Sequence, residues 1–552
     1  MAYFTLSGKS AAASKKKKAL VICAHLRPGR TKRRSRHFMQ PLSGLHIASL
    51  IDSTQFDVKL YHEQWHGPYC SSAPERFDIV FLSGLQPDFD RMRQLSYHFR
   101  KVGSIVVAGG SICTLFPEFA SQFFDVVCVG GVDTVPDIIT DFSNGSLKPI
   151  YRNPISNITT YTPNYRFFRE NGIRPSSHLV EASRGCSFKC SFCVIPAEVG
   201  HHATYDLEAV KRAIDNSIEE SPFFSIRRWV PTIFFLDNNF ADDKSYMLEI
   251  ADLLLRDKRI KAWGALVTQD ILHDRDLILR LRRSKCRMLF IGLESLNRDF
   301  LRRYNKKQNL SRRSDIVEDI LFSEKNGVAV SYGYLCDPRL FTARGMEDQI
   351  ADLFNTLGFP FPTYFSFVAP LVGTAAFWMD ASNGELAPNL RLRDLEGETI
   401  AYSCLRDDPG TLRSFAERIS RRPWSFSTRK RLIASTLRRV WNCLNADPFH
   451  WWVVASANFH GVFWLRTEPS RRESYFSGED ILDPQYNEYP AGISRNEWEK
   501  YFRPIQITDH MGNLVDWIHA YSPSPGKERR LPKTHRLAAN HSMPIQREAG
   551  EA

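Results

Sequence analysis

The sequence predicts an α/β fold in three parts: a Rossmann-like (flavodoxin-like) N-terminal domain, a full or partial (β/α)6 barrel, and a mostly helical C-terminal region. Three observations predict it. Short β-branched runs alternate with segments of helical apolar spacing before residue 145, a second and longer β-then-α series starts near residue 179, and the alternation fades after about residue 390 into aromatic and basic helical stretches.

In the first part, residues 19–23, 58–61, 79–82, 105–108 and 126–129 read as parallel strands, with helices expected at 42–51 and 89–101. Open doubly wound sheets bind ligands at the carboxyl ends of their strands. Those ends carry Ser83-Gly84-Leu85, Gly109-Gly110 and Gly130-Gly131. Glycine there admits a bulky ligand close to the backbone, although tight turns also use it.

Residues 147–175, rich in Pro, Asn, Tyr and Arg, read as a linker. The second series places strands at 179–183, 232–236, 263–267, 288–291, 328–334 and 364–368, with helices such as 207–219 and 246–255 between them. Beyond it, helices are expected at 411–419 and 429–444. Trp424, Trp441, Trp451, Trp452 and Trp464 there suit either a packed core or a roof over a substrate pocket. The expected divisions are 1–17 flexible, 18–145 first domain, 146–175 linker, 176–390 barrel, 391–521 helical region, and 522–552 a disordered tail poor in large apolar residues.

Composition narrows the function. With 552 residues and 43% apolar content the chain can build several cores. Lys+Arg 73 against Asp+Glu 61 leaves +12, bunched at 15–18, 27–36 and 421–439, which suits either a solvated basic surface or an anionic partner. Eleven cysteines, mostly scattered singly in apolar runs, point to a reducing compartment rather than a secreted disulfide framework. No signal peptide and no transmembrane stretch is expected, so a cytoplasmic enzyme is the default.

The strongest local signal is Arg184-Gly185-Cys186-Ser187-Phe188-Lys189-Cys190-Ser191-Phe192-Cys193, a C-x3-C-x2-C run directly after a predicted strand. Three thiolates in eight residues can wrap one iron-sulfur cubane and leave one iron open to bind a substrate. The alternative is a structural zinc site completed by His201 or His202.

At these residues the sequence resembles the radical S-adenosylmethionine (SAM) superfamily, whose signature is C-x3-C-x2-C with an aromatic residue before the third cysteine. The resemblance implies that Cys186, Cys190 and Cys193 hold a 4Fe-4S cluster, and that one electron from it splits SAM to a 5′-deoxyadenosyl radical. Phe192 and two further segments resemble the SAM-binding elements: Phe235 to Phe240, with Asp237, and Gly292-Leu293-Glu294-Ser295. Taken alone, Asp237 and Glu294 could equally cap a helix or form a salt bridge. Ala369 to Thr374 resembles the family's sixth-strand ending, with departures at Ala369 and Val372.

The first domain resembles cobalamin-binding domains through Pro41-Leu42-Ser43-Gly44-Leu45, Ser83 and Leu85, and Gly109-Gly110, with Gly130 and Gly131 at the next strand end. The D-x-H-x-x-G motif is missing; His25-Leu26-Arg27-Pro28-Gly29 lacks the Asp and the spacing. The resemblance therefore implies cobalamin bound with its base displaced and no histidine below the cobalt, or a vestigial domain.

These resemblances imply a cobalamin-dependent methyltransferase acting on an unactivated carbon of a small molecule, served by an electron donor such as flavodoxin or ferredoxin. Oxidative cyclisation or rearrangement is open within the same resemblance. An RNA-modifying methylthiotransferase would need a second cluster, for which Cys23, Cys70 and Cys113 are available, but Cys23 and Cys70 lack the expected surroundings and no clear C-terminal β-barrel RNA-binding module follows. An iron-sulfur regulator bound to nucleic acid would need a DNA-binding motif, and none is evident.

Overall fold

The computed structural model describes residues 16–26, 42–69, 75–152, 161–175, 177–199, 201–222, 225–310, 313–357, 364–397, 399–421 and 492–521, with isolated positions between 430 and 451. Among the described residues no helix is long and apolar enough to cross a membrane.

Six parallel strands form the first sheet: β1 (Lys17–Cys23), β2 (Phe56–His62), β3 (Ile79–Gly84), β4 (Ile105–Gly110), β5 (Val126–Val129) and β6 (Ile150–Arg152), in the order β2-β1-β3-β4-β5-β6. The order reverses at β1, where a doubly wound sheet opens a crevice at its carboxyl edge. Both faces are covered. Ala19 and Val21 enter one core while Leu20 and Ile22 enter the other, as the two-residue strand period requires.

The sixth strand differs from the sequence reading, which put 147–175 in a linker. Ile150-Tyr151-Arg152 lies between two prolines, too short for alternation to register, yet it extends β5 in register Val127↔Ile150. A helix, Arg166–Glu170, also forms in that stretch, and its Phe167 and Phe168 are buried. Part of the expected linker, 153–160, lies outside the described residues.

The second sheet holds β7 (His178–Val180), β10 (Thr232–Phe235), β11 (Ala262–Val267), β12 (Cys286–Glu294), β13 (Ala329–Cys336) and β14 (Tyr364–Phe367), between which β8 (Ser183–Arg184) and β9 (Ala203–Thr204) form a small antiparallel ladder. The six large strands pair in sequence order and all in parallel, with β7 and β14 as edges, so the barrel is partial. The helices between strands include Leu207–Glu219 and Lys244–Arg256, each burying one apolar face.

Beyond residue 390 the described segments divide their packing. Helix Pro409–Arg421 lies on the barrel helix Ala343–Leu357, while helix Arg495–Tyr501 packs on Phe89–Lys101 and helix Asp516–Tyr521 on Pro117–Ala120 of the first domain. Trp517 stacks on Phe119 at 4.1 Å. Trp424, Trp452, Trp464, the 27–36 basic run and the 522–552 tail lie outside the described residues.

Candidate active site

The cysteine loop leaves β8 at the carboxyl edge of the second sheet, and its entry is fastened from below. Asp237, fully buried just after β10, accepts from the Ala182 amide at 3.1 Å and the Ser183 hydroxyl at 2.6 Å. Burial, with the nearby Glu181 charge, pushes its pKa up to about 7. Asn238 accepts from the Gly185 amide at 2.9 Å, and Asp242 accepts from the Ser187 amide and hydroxyl, each at 3.0 Å. Gly185 has φ +86, and a Cβ there would meet the His201 carbonyl at 2.0 Å, so only glycine fits before the first cysteine.

The middle of the loop rests on the turn after helix Arg298–Arg303. The Tyr304 carbonyl accepts from the Ser191 amide at 2.9 Å, and Asn305 Nδ2 donates to the Lys189 carbonyl at 2.8 Å. The Phe192 ring meets Tyr304 edge-on, with the Lys306 ammonium 5.6 Å above it.

Each thiol has an N–H donor: the Phe188 amide for Cys186, Gln308 Nε2 for Cys190 at 3.2 Å, and the Ile195 amide for Cys193. Burial pushes the Cys186 thiol up to about 11 and the Cys193 thiol up to about 12, so both must lose a proton to become ligands. Donors aimed at sulfur are what a thiolate-bound cluster requires around it. Among the described residues no three Cys, His, Asp or Glu side chains converge as ligands of one ion. Of the two histidines that the zinc alternative invokes, His202 faces Asp242 at 3.7 Å, and the backbone carbonyl of His201 lies against Gly185.

At the end of β12, Glu294 takes φ +59, uncommon for a side chain other than glycine, and its carboxylate pairs with buried Lys306 at 2.7 Å. Gly292 leaves room for that pair, because its Cβ would lie 2.6 Å from Glu294 Oε1 and 2.8 Å from Lys306 Nζ. Ser295 is buried and accepts the Asn297 amide at 3.1 Å. Glu294, Lys306 and Phe192 thus meet beside Cys190 and Cys193, whereas Asp237 sits behind the loop as its anchor.

The first domain turns its glycine edge to this loop. Gln86 Nε2 donates to the Val372 carbonyl at 2.8 Å, and its Oε1 accepts the Val372 amide at 2.9 Å, joining the segment after β3 to the segment after β14. The same amide reaches Ser111 at 3.1 Å, on the short helix Ser111–Leu115 that packs against Ile195–Glu198, the helix that follows Cys193. Nearby, buried His46 of the first domain meets Glu181 at 3.2 Å, and although burial pushes Glu181 up, Arg184 and His46 together outweigh it and hold the carboxyl down to about 2.

The strand-end glycines differ from one another. A Cβ at Gly109 would meet only Cys128 Cβ, at an ordinary 3.6 Å. At Gly110 (φ +113) it would meet the Gly84 carbonyl at 2.2 Å, so this glycine is required by strand packing, contrary to the expectation that a ligand requires it. Gly44 is likewise fixed by Cys23 Sγ at 2.3 Å, while Gly130 and Gly131 take φ +92 and +138 in a turn. Ser83 donates to Ser43 at 3.2 Å, and Leu85 stands 64% exposed.

The open Gly109, the uncovered Leu85 and two buried carboxylate oxygens without partners, Asp133 Oδ2 and Glu198 Oε1, fit a large planar ligand edged with amide donors such as cobalamin. Sequence reasoning missed Gln86, Lys306 and Gln308. The amide-rich run Asn305-Lys306-Lys307-Gln308-Asn309 was the only local trace of the last two.

Residues 180–330 match the family described as the Radical SAM superfamily. Over 346 residues the chain is 24% identical to bacteriochlorophyllide d C-8(2)-methyltransferase of Chlorobaculum tepidum, covering 60% of this chain and 74% of that protein. The C-12(1)-methyltransferase of the same organism is 26% identical over 349 residues, 61% of this chain and 73% of that protein. A solved structure of the cobalamin-dependent SAM radical enzyme OxsB aligns with TM-score 0.55 and 13% identity over 91% of this chain and 85% of its own, a likeness of fold. With a cysteine loop of matching spacing at the expected strand end, residues 180–330 of the chain are those that match the radical SAM superfamily.

Proposed function

We propose that this chain is a cobalamin-dependent radical SAM methyltransferase acting on an unactivated carbon of a small molecule. The observation that carries the reading is the junction itself: the cysteine loop and the open glycine edge of the first sheet are joined by Gln86–Val372 and by the packing of helix Ser111–Leu115 on Ile195–Glu198, which supports two cofactor sites side by side. Both curated relatives are named as methyltransferases of bacteriochlorophyllide d.

When bound, the cluster supplies the electron that cleaves SAM, and cobalamin supplies a methyl carrier. The chain's residues do the rest. Cys186, Cys190 and Cys193 hold the iron; Glu294, Ser295 and Phe192 line the SAM side, and Lys306 holds the Glu294 carboxylate in place. Ser83, Leu85 and Gly109 admit the corrin, and Asp133 and Glu198 take its amide donors. Asp237 keeps the loop entry fixed. The electron comes from a low-potential donor of the flavodoxin or ferredoxin kind. All nine described cysteines are free, which suits a reducing, cytoplasmic setting.

Anaerobic reconstitution with iron, sulfide and hydroxocobalamin tests the reading. About four irons, one base-off cobalt and 5′-deoxyadenosine formation are expected, and replacing any of the three cysteines by Ala removes iron and SAM cleavage together. Full iron and 5′-deoxyadenosine formation in a cysteine variant would end the cluster assignment, and failure to bind cobalamin would end the methyltransferase reading.

A further inference from the structure

We infer that Gln308 is a positioning residue whose amide hydrogen bond to Cys190 sets how readily a cluster held by Cys186, Cys190 and Cys193 accepts its electron. The inference rests on the reading of those cysteines as cluster ligands. Cys186 and Cys193 take their N–H donors from the backbone of their own loop, at Phe188 and Ile195. Cys190 takes its donor from a side chain 118 residues further along. It is the one donor to a loop sulfur, among the described residues, that a substitution can remove without rebuilding the loop.

The donor is held in place by its neighbours. Lys307–Asn309 is a single 3-10 turn, and Asn309 Nδ2 fixes it by donating to the Gly292 carbonyl at 2.8 Å and the Leu293 carbonyl at 3.0 Å. Two residues earlier, Lys306 is buried and occupied by Glu294. Tyr304, Asn305 and Gln308 therefore contact Ser191, Lys189 and Cys190 in turn, so one short segment cradles the middle of the loop.

The chemistry is a one-electron change with no atom transferred. A low-potential one-electron donor loses the electron, the cluster gains it, and the added negative charge spreads onto the ligand sulfurs. An N–H donor stabilises the more negative, reduced form more than the oxidised one, and so raises the potential. Removing the donor leaves the ligand in place and makes the cluster harder to reduce.

The test uses the full chain, reconstituted anaerobically, as the parent, Gln308→Leu and Gln308→Glu, with iron analysis and a dithionite titration followed by electron paramagnetic resonance. All three should hold about four irons. At a fixed potential, the reduced-to-oxidised ratio should fall about tenfold in Gln308→Leu, a shift of about 59 mV for a one-electron couple. Gln308→Glu, which keeps the shape and adds a charge, should fall at least as far. A midpoint in Gln308→Leu equal to the parent's overturns the inference, as does loss of iron from both variants with the parent's circular dichroism kept. A parent that binds no iron fails the underlying reading instead, which the iron analysis alone reports.

Discussion

Gln86 and Val372 exchange two hydrogen bonds across 286 residues of sequence, through one side-chain amide and the backbone N–H and C=O of one residue, both residues buried. No other amino acid reproduces this pairing at that reach except an equally placed amide, and the contact spans the joint between the two sheets. A buried peptide group stripped of its partner costs about 1–3 kcal/mol.

Gln86→Ala should therefore lower the urea midpoint by an amount corresponding to about 1–3 kcal/mol, while iron and cobalt content stay at the parent's level. Gln86→Glu keeps the shape but replaces the donor with a second acceptor, and should destabilise too. A midpoint unchanged in both variants would mean that the joint is held elsewhere.

The neighbouring glycines should respond in opposite ways. Gly109→Val puts bulk into open space, and should weaken cobalamin binding by roughly tenfold, about 1.4 kcal/mol, with little loss of stability. Gly110→Val drives a side chain against the Gly84 carbonyl and should lower the melting temperature whether or not cobalamin is present. Equilibrium titration with cobalamin, set beside melting curves, separates the two. Equal cobalamin affinity in the Gly109 variant and the parent would remove that glycine from the site.

Asp237 gives a pH signature. Its folded pKa is raised from 3.8 to about 7 by burial, so its contribution to stability is present below about 3.8 and is lost as pH rises through about 7. Measured against Asp237→Asn, which cannot titrate, the parent should gain relative stability as pH falls from about 7 towards 4. A stability difference independent of pH across that window would mean that the carboxyl stays ionised on its Ala182 and Ser183 donors.

Much of this was legible in the sequence because its carriers are local. The three cysteines lie within eight residues, and the helix expected at 89–101 forms over Phe89–Lys101. Asp237 was found by its motif, but its orientation behind the loop depends on how β10 sits beside β7, which no local pattern encodes. Gly110 was read as a ligand contact because a glycine looks the same in sequence whether a cofactor or a neighbouring carbonyl requires it. Gln86, Lys306 and Gln308 were missed because each acts on a partner brought near only by the tertiary fold.

The packing of the first domain also bears on the order in which the chain is finished. Asp90 and Arg93, on the helix Phe89–Lys101, are buried, and Arg93 reaches the carbonyls of Lys500 and Arg503, each at 2.6 Å. Asp90 receives Arg393 at 2.7 Å and the Ile505 amide at 3.2 Å, from 303 and 415 residues later. A ribosome supplies the first domain early but supplies these partners late. This domain, made before residues 393–505, is thus completed only after them, and until then its helix exposes an ion pair and the Tyr97 ring that Tyr501 and Phe502 later cover.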